Sequence, residues 1–201
     1  MFIMEEAFNF KKTILEILQA NSLTFDDLKK IGAIKIKNDG YLDLNIDYLG
    51  TYHQYDRYAV AHNFIQNSDL MADPDMEFLD IQGAFVPISY QLDSLGVYHR
   101  AVTENNGTLQ WNRKMYKDLL NFIKMWANNL KIQGFKKGTL YIEGMTKDDW
   151  LLKNKLVTLV QKQYKNYKGY TDSEEQLRLL LRKYNKQFRI DENNELRIIN
   201  I

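Results

Sequence analysis

Residues 33–50, AIKIKNDGYLDLNIDYLG, alternate apolar and polar side chains on both sides of Asp39-Gly40. Successive side chains on a strand point to opposite faces, so each arm of this stretch has one apolar face. Asp-Gly is a favoured hairpin turn, because glycine takes positive φ without steric cost. A chain carrying this signal builds an antiparallel sheet.

The neighbouring segments supply more strands and their cover. RYAVAHNFIQN, MEFLDIQG and AFVPISYQL read as strands joined by short turns. Pro87 cannot donate to a ladder, so the last of them is an edge strand or is bulged. MEEAFNFKKTILEILQAN predicts a helix at about 4–20, with Phe8, Ile14, Leu15 and Leu18 near one face. Thr24, Asp27 and Gly32 frame a short capped helix. A long amphipathic helix is expected at 112–131, where Met115, Leu119, Phe122, Ile123, Trp126 and Leu130 share a stripe. The expected fold class is α+β: a mainly antiparallel sheet of five or six strands packed by helices, in a domain spanning 1–135. Residues 136–201 read as a module docked on it. There GTLYIEG is a strand candidate, Thr146 with Asp149 and Ser173 with Gln176 each open a helix, and KQFRIDENNELRIINI closes as a hairpin.

Composition removes several chemistries. The 201 residues include no cysteine, which excludes disulfides, thiolate metal sites and a cysteine nucleophile. No apolar run approaches the roughly 20 residues of a membrane span. The opening MFIMEEAFNF lacks the basic region of a signal peptide. The expectation is a cytoplasmic protein without membrane contact. The net charge of +1 conceals a division: residues 1–110 carry 8 basic and 16 acidic side chains, and the other 91 carry 19 and 10. The two parts therefore stand at −8 and +9. A basic module of this kind can attract nucleic acid, or can simply be solvated.

The acidic run NSDLMADPDMEF invites two readings. Asp73, Asp75 and Glu77 alternate, so an early strand start would aim all three at one face. Three carboxylates on one face could hold Mg²⁺ or Mn²⁺, and His62, Asp69, Asp73 and Glu77 are the candidate group of a metal-dependent nuclease. Read the other way, Asp73-Pro74 opens a turn, Met76 and Phe78 point inward and Glu77 outward. No established metal motif is present, so no metal and no cofactor are expected outside the nuclease alternative. His53 and His99 read as surface or satisfied histidines. Ser89, Ser94 and Ser173 sit in no nucleophile elbow, and no glycine-rich phosphate loop occurs.

In the tail, Tyr164 and Tyr167 project with Leu152, Leu156, Leu159 and Val160, which reads as core. Lys155, Lys162 and Lys165 fall on the other side. Arg178, Arg182, Lys183 and Lys186 fall opposite the Leu177, Leu180, Leu181 and Tyr184 stripe. These seven cations are the candidate nucleic-acid contacts, suited to phosphates rather than bases.

Over about residues 5–135 the chain resembles a domain family of unknown function carried on plasmids, conjugative transposons and phages. The resemblance rests on His62, on Asn67 and Asp69 of a turn, on Asp73, Pro74, Met76, Glu77 and Phe78, on Pro87, Asp93 and Gly96, and on Trp126, Asn129, Leu130, Gln133, Gly134 and Phe135. Ser68 stands where that pattern has glycine. The resemblance implies a mobile-element accessory protein. The expected function is to counter host defence, by anti-CRISPR or anti-restriction inhibition. The expected partner is a host defence protein or a ribonucleoprotein such as an RNA-guided nuclease, with RNA a further candidate. The alternatives are the nuclease and a scaffold without nucleic-acid contact.

Overall fold

A computed structural model describes residues 5–152, 154, 186–190 and 196–200 of the protein, the last two segments as backbone. The chain divides into two units, Met1–Gly144 and Met145–Ile201. The fold is α+β. The first unit runs α1 (Glu5–Ala20), α2 (Phe25–Ile31), β1 (Ala33–Lys37), β2 (Asp43–Tyr52), β3 (Tyr55–Gln66), β4 (Asp69–Ile81) and β5 (Ala84–Leu92). It continues with β6 (Val97–Arg100), β7 (Val102–Asn105), β8 (Thr108–Trp111), α3 (Arg113–Ile132) and β9 (Thr139–Ile142).

Seven of these strands form one antiparallel sheet in the order β9-β1-β2-β3-β4-β5-β6. This exceeds the expected five or six. One reason is that β9, expected in the tail, pairs with β1 through Lys35 opposite Tyr141. Strands β7 and β8 form a hairpin of their own. The acidic run is strand from Asp69 onward rather than a loop leading into one. Pro87 is accommodated by a bulge: Phe78 pairs with Pro87 and Glu77 with Ser89, leaving Ile88 over. Strand β6 pairs only with Ser89 to Leu92, so no neighbour there needs an N–H from Pro87.

The helices are set by caps and stripes. Thr24 and Asp27 make a reciprocal capping box at the start of α2. The Asn112 side chain accepts the Met115 N–H at the start of α3. In α1 the buried stripe is Ala7, Phe10, Thr13, Ile14, Ile17 and Leu18. Phe8, assigned to that stripe from sequence, is 44% exposed, because the buried stripe runs through Phe10, about 200° round the helix from it. Helices α1 and α3 cover one face of the sheet. Phe10 stacks on Phe78 and touches Trp126, at ring separations of 4.9 and 5.3 Å. Among the described residues no helix lies over the other sheet face.

After α3 the chain turns back through Gly134 and Gly138 to enter β9. A Cβ on Gly138 would stand 2.6 Å from Ile36 Cγ2 and 2.8 Å from the Lys37 carbonyl. Only glycine lets this segment lie against β1. Gly138→Ala is expected to cost about 1–3 kcal/mol through overpacking, read as a lower midpoint in urea with unchanged slope.

In the second unit Met145–Thr146 is the short strand β10, and helix covers 147–152. Thr146 accepts the Asp149 N–H and donates its hydroxyl to the Asp149 carboxylate, as the sequence spacing predicts. Strands β11 (Lys186–Ile190) and β12 (Leu196–Asn200) pair antiparallel as the closing hairpin. Lys186, expected on a basic helix face, opens β11 opposite Asn200. Lys155, Lys162, Lys165, Arg178, Arg182 and Lys183 lie outside the described residues.

Candidate functional site: the polar face of the sheet

Strand alternation decides what the face opposite the helices presents, and Ala59, Ala61, Leu79, Val86 and Ser89 on it are buried. Leu44, Ile46, Tyr58, Val60, Met76 and Phe78 point toward the helices and are buried. Their neighbours in sequence must point the other way. The register then aligns two cross-strand rows. One runs Lys35, Asn45, Ala61, Asp75, Gln91, Tyr98. The other runs Ala33, Asp47, Ala59, Glu77, Ser89, Arg100. In the middle strand both rows pass through alanine, so Ala59 and Ala61 form the floor of a trough. Its walls are Asn45 and Asp47 on β2 and Asp75 and Glu77 on β4.

The polar groups of this trough are poorly satisfied. Asn45 Nδ2, Arg57 Nε, Asp75 Oδ1 and Glu77 Oε2 are buried without a hydrogen-bond partner. Buried polar atoms are nearly always paired, so four orphans on one face mark it out. Arg57 Nη1 lies 3.9 Å from Glu77 Oε2, an ion pair too long to be a hydrogen bond. Asp47 and Asp75 have no ion-pair partner among the described residues. Burial raises the Asp75 carboxyl to about 6, with the charges of Glu77, Asp47 and Asp93 adding to the shift. Burial also raises Asp47. Ser89 is 4% exposed.

One end of the face is clasped. The Tyr52 hydroxyl lies 2.9 Å from Glu104 of β7, and the Arg57 guanidinium sits over the Tyr52 ring at 5.7 Å. Farther along, the β3–β4 hairpin carries Ile65 opposite Leu70 at its tip, 76% and 67% exposed. Tyr98 is exposed on the same face.

The candidate residues read from sequence separate. Glu77 belongs to the trough. Asp69 pairs with Gln66 at the tip of the β3–β4 hairpin and is exposed. Asp73 sits at the bulge before the cis Asp73-Pro74 bond. His62 points to the helix side, with its ring 5.6 Å from Trp126 and 5.4 Å from Phe135. Burial lowers the His62 pKa, against the opposing pull of the Asp43 carbonyl, 3.3 Å from Nδ1. Met76 and Phe78 are inward and Glu77 outward, as the second reading of the run expected. No three of the described His, Asp or Glu residues are grouped to hold a metal ion. Sequence reasoning missed Asn45, Asp47, Ala59 and Ala61. The signal was available in Asn45 and Asp47, polar positions of the alternating hairpin, but only the register brings them beside Asp75.

A cleft of about 430 Å³ lies on the other side, where Tyr90 and His99 meet Met115, Asp118 and Phe122. No orphaned buried atom lines it. The trough is therefore the stronger candidate.

A family described as Domain of unknown function (DUF6908) matches residues 12–136. The chain belongs to this family. The match contains every residue of the trough. No curated protein and no solved structure matches the chain. Among the described residues no helix is long and apolar enough to cross a membrane.

The sign of the pH effect follows from the raised carboxyl. The native state holds the Asp75 proton up to about pH 6, whereas an unfolded aspartate releases it near 3.9. Stability therefore falls as pH climbs from about 4 to 6, then stays level. Asp75→Asn should raise the melting temperature at pH 8, by an amount on the order of 1 kcal/mol after solvent screening. The gain should vanish at pH 4. A gain of equal size at both pH values would show that charge is not its origin.

Proposed function

We propose that this protein is a non-catalytic binding protein that docks a basic segment of a partner on the polar face of its sheet. The observation that carries the reading is the set of carboxylates held together and left unpaired, Asp47 and Asp75 above all, beside Glu77. A fold gains nothing from such a group by itself. Opposite charge from a partner relieves the desolvation and repulsion together.

The partner class we propose is a host defence complex that grips nucleic acid, and the protein's role is to counter it by anti-CRISPR or anti-restriction inhibition. Such complexes hold nucleic acid in channels lined by Lys and Arg, which complement an acidic face. The resemblance to a family carried on mobile elements supports the same setting. A nuclease built from His62, Asp69, Asp73 and Glu77 has less support, because those side chains stand on different faces and at different ends of the strands.

The test is inhibition of DNA cleavage by a panel of purified RNA-guided nucleases and restriction endonucleases. The wild-type chain should inhibit at least one. The triple variant Asp47→Asn, Asp75→Asn, Glu77→Gln should lose that inhibition while keeping its circular dichroism spectrum. Inhibition undiminished in the triple variant would remove the sheet face from the reading. Inhibition of no member of the panel would remove the counter-defence setting. With Mg²⁺ or Mn²⁺ alone, the chain should leave RNA and DNA uncut, and its melting temperature should not move.

A further inference from the structure

We infer that the outer edge of β6 and the cleft beside it form one docking site for an extended segment of a partner protein, which pairs antiparallel with β6 and sets an aromatic side chain into the cleft. The cleft lies on the helix side of the sheet, so the inference goes beyond the docking reading above and does not depend on it.

The edge is the first observation. Strand β6 ends the sheet, and its outer edge meets no further strand among the described residues. The Ala101 N–H donates to the Ile88 carbonyl, and His99 stands opposite Tyr90. In an antiparallel pair, residues that exchange hydrogen bonds alternate with residues that do not. His99 and Ala101 therefore turn their backbone groups toward β5, and Tyr98 and Arg100 turn theirs outward. Tyr98, His99 and Arg100 are exposed. The strand holds no proline and no bulge, two of the devices that close an edge to other chains.

The cleft is the second observation, and it adjoins the same strand. His99 of β6 and Tyr90 of β5 line one side, and Met115, Asp118, Leu119 and Phe122 of α3 line the other. Its volume of about 430 Å³ is that of a small ligand pocket. Tyr90 meets Phe122 edge-on at 5.0 Å and stacks with His99 at 6.3 Å. Three rings and a thioether suit an aromatic guest, since ring pairs and sulfur–ring contacts add to apolar burial. A strand laid along β6 sends alternate side chains to the helix side, and the one opposite His99 is aimed at the cleft. One segment thus uses both features: main-chain bonds hold it, and the pocket selects its side chain.

Charge sets the neighbours of that side chain. Arg100 on β6 and Lys114 at the cleft rim are exposed cations, and Asp118 is the carboxylate of the rim. The residues flanking the guest point to the face that carries Arg100, so an acidic residue beside the aromatic one is complementary.

The experiment is an NMR titration of the ¹⁵N-labelled full-length protein with the blocked pentapeptide Thr-Glu-Phe-Thr-Val. Saturable shifts are expected at the amides of 97–100 and 115–122. Replacing the peptide's Phe with alanine should weaken binding about tenfold or more, because the buried ring is lost. With Phe opposite His99, the peptide's Glu and second Thr aim their N–H groups at β6, and Phe aims its own away. N-methylation of that Thr should abolish binding, whereas N-methylation of Phe should leave it almost unchanged. Tyr98→Pro removes an outward N–H without taking a bond from β5, and proline is tolerated at such edge positions. It should abolish binding while the rest of the spectrum is preserved. Met115→Trp fills the cleft and should bring the Phe peptide down to the level of the alanine peptide.

Equal binding of the two methylated peptides, equal binding of the Phe and alanine peptides, or no saturable shift at all would overturn the inference. Shifts at 97–100 that grow with protein concentration in the absence of peptide would put a second copy of this chain on the edge, and would overturn it too. Should Tyr98→Pro fail to fold, the methylated peptides carry the test on the wild-type protein. Failure here is separable from failure of the docking reading. The triple variant Asp47→Asn, Asp75→Asn, Glu77→Gln should bind the pentapeptide as the wild type does, and Tyr98→Pro should inhibit as the wild type does wherever the acidic face alone carries inhibition.

Discussion

The stacking of Phe10 on Phe78 is the contact on which the remaining structure depends. Phe10 joins α1 to the middle of β4, and its approach to Trp126 brings α3 into the same cluster. Phe78 in turn stacks on Phe85 of β5, with centroids 5.5 Å apart. Aromatic groups of this size dominate core energetics. With Phe78 fixed toward the helices, Met76 must follow it and Asp75 and Glu77 must face away. A slip of one residue would exchange the two sets, placing carboxylates in the aromatic core. The packing that stabilises the domain thus also fixes where its charges stand.

That placement has an energetic consequence. A sheet face without helices is usually polar and solvated. Here part of it is withdrawn from water, enough to raise Asp75 and Asp47. The alanines on β3 contribute, since they let neighbouring side chains close over a low floor. Strongly perturbed carboxylates with nearby charged neighbours are more frequent at functional sites than elsewhere. The Lys11–Asp80 pair makes the contrast. At 2.6 Å, on the helix side, it joins α1 to β4 through Asp80 Oδ2, so this carboxylate has a cation beside it, although its Oδ1 is buried without a partner.

The fold was legible where local chemistry and tertiary packing agree. Thr24 with Asp27, the alternation around Asp39-Gly40 and the α3 stripe each specify their element within a few residues. Phe8 was misread because one turn of helix offers two apolar stripes, and only contact with Phe78 selects the one through Phe10. The acidic run was harder. Asp-Pro is a turn signal, yet in this chain it lies inside a strand, where a bulge absorbs the irregularity. The trough was not legible, because it is a property of register across three strands. Asn45 and Glu77 lie 32 positions apart, and nothing local in the sequence aligns them. Asp69 and Asp73 looked closer to Glu77 than Asp47 does, although the sheet brings Asp47 alongside and sends Asp69 to a hairpin tip.

The same register argues against the metal that clustered carboxylates first suggest. A divalent cation draws each oxygen ligand to within about 2.6 Å, so its ligands must converge on one point. Asp47 stands on β2 and Asp75 and Glu77 on β4, with an intervening strand between them. Their backbones are therefore two strand spacings apart, about 9.5 Å. Asp75 and Glu77, two residues apart on one strand, could approach a small ion together, but a pair lacks the further ligands that would hold it.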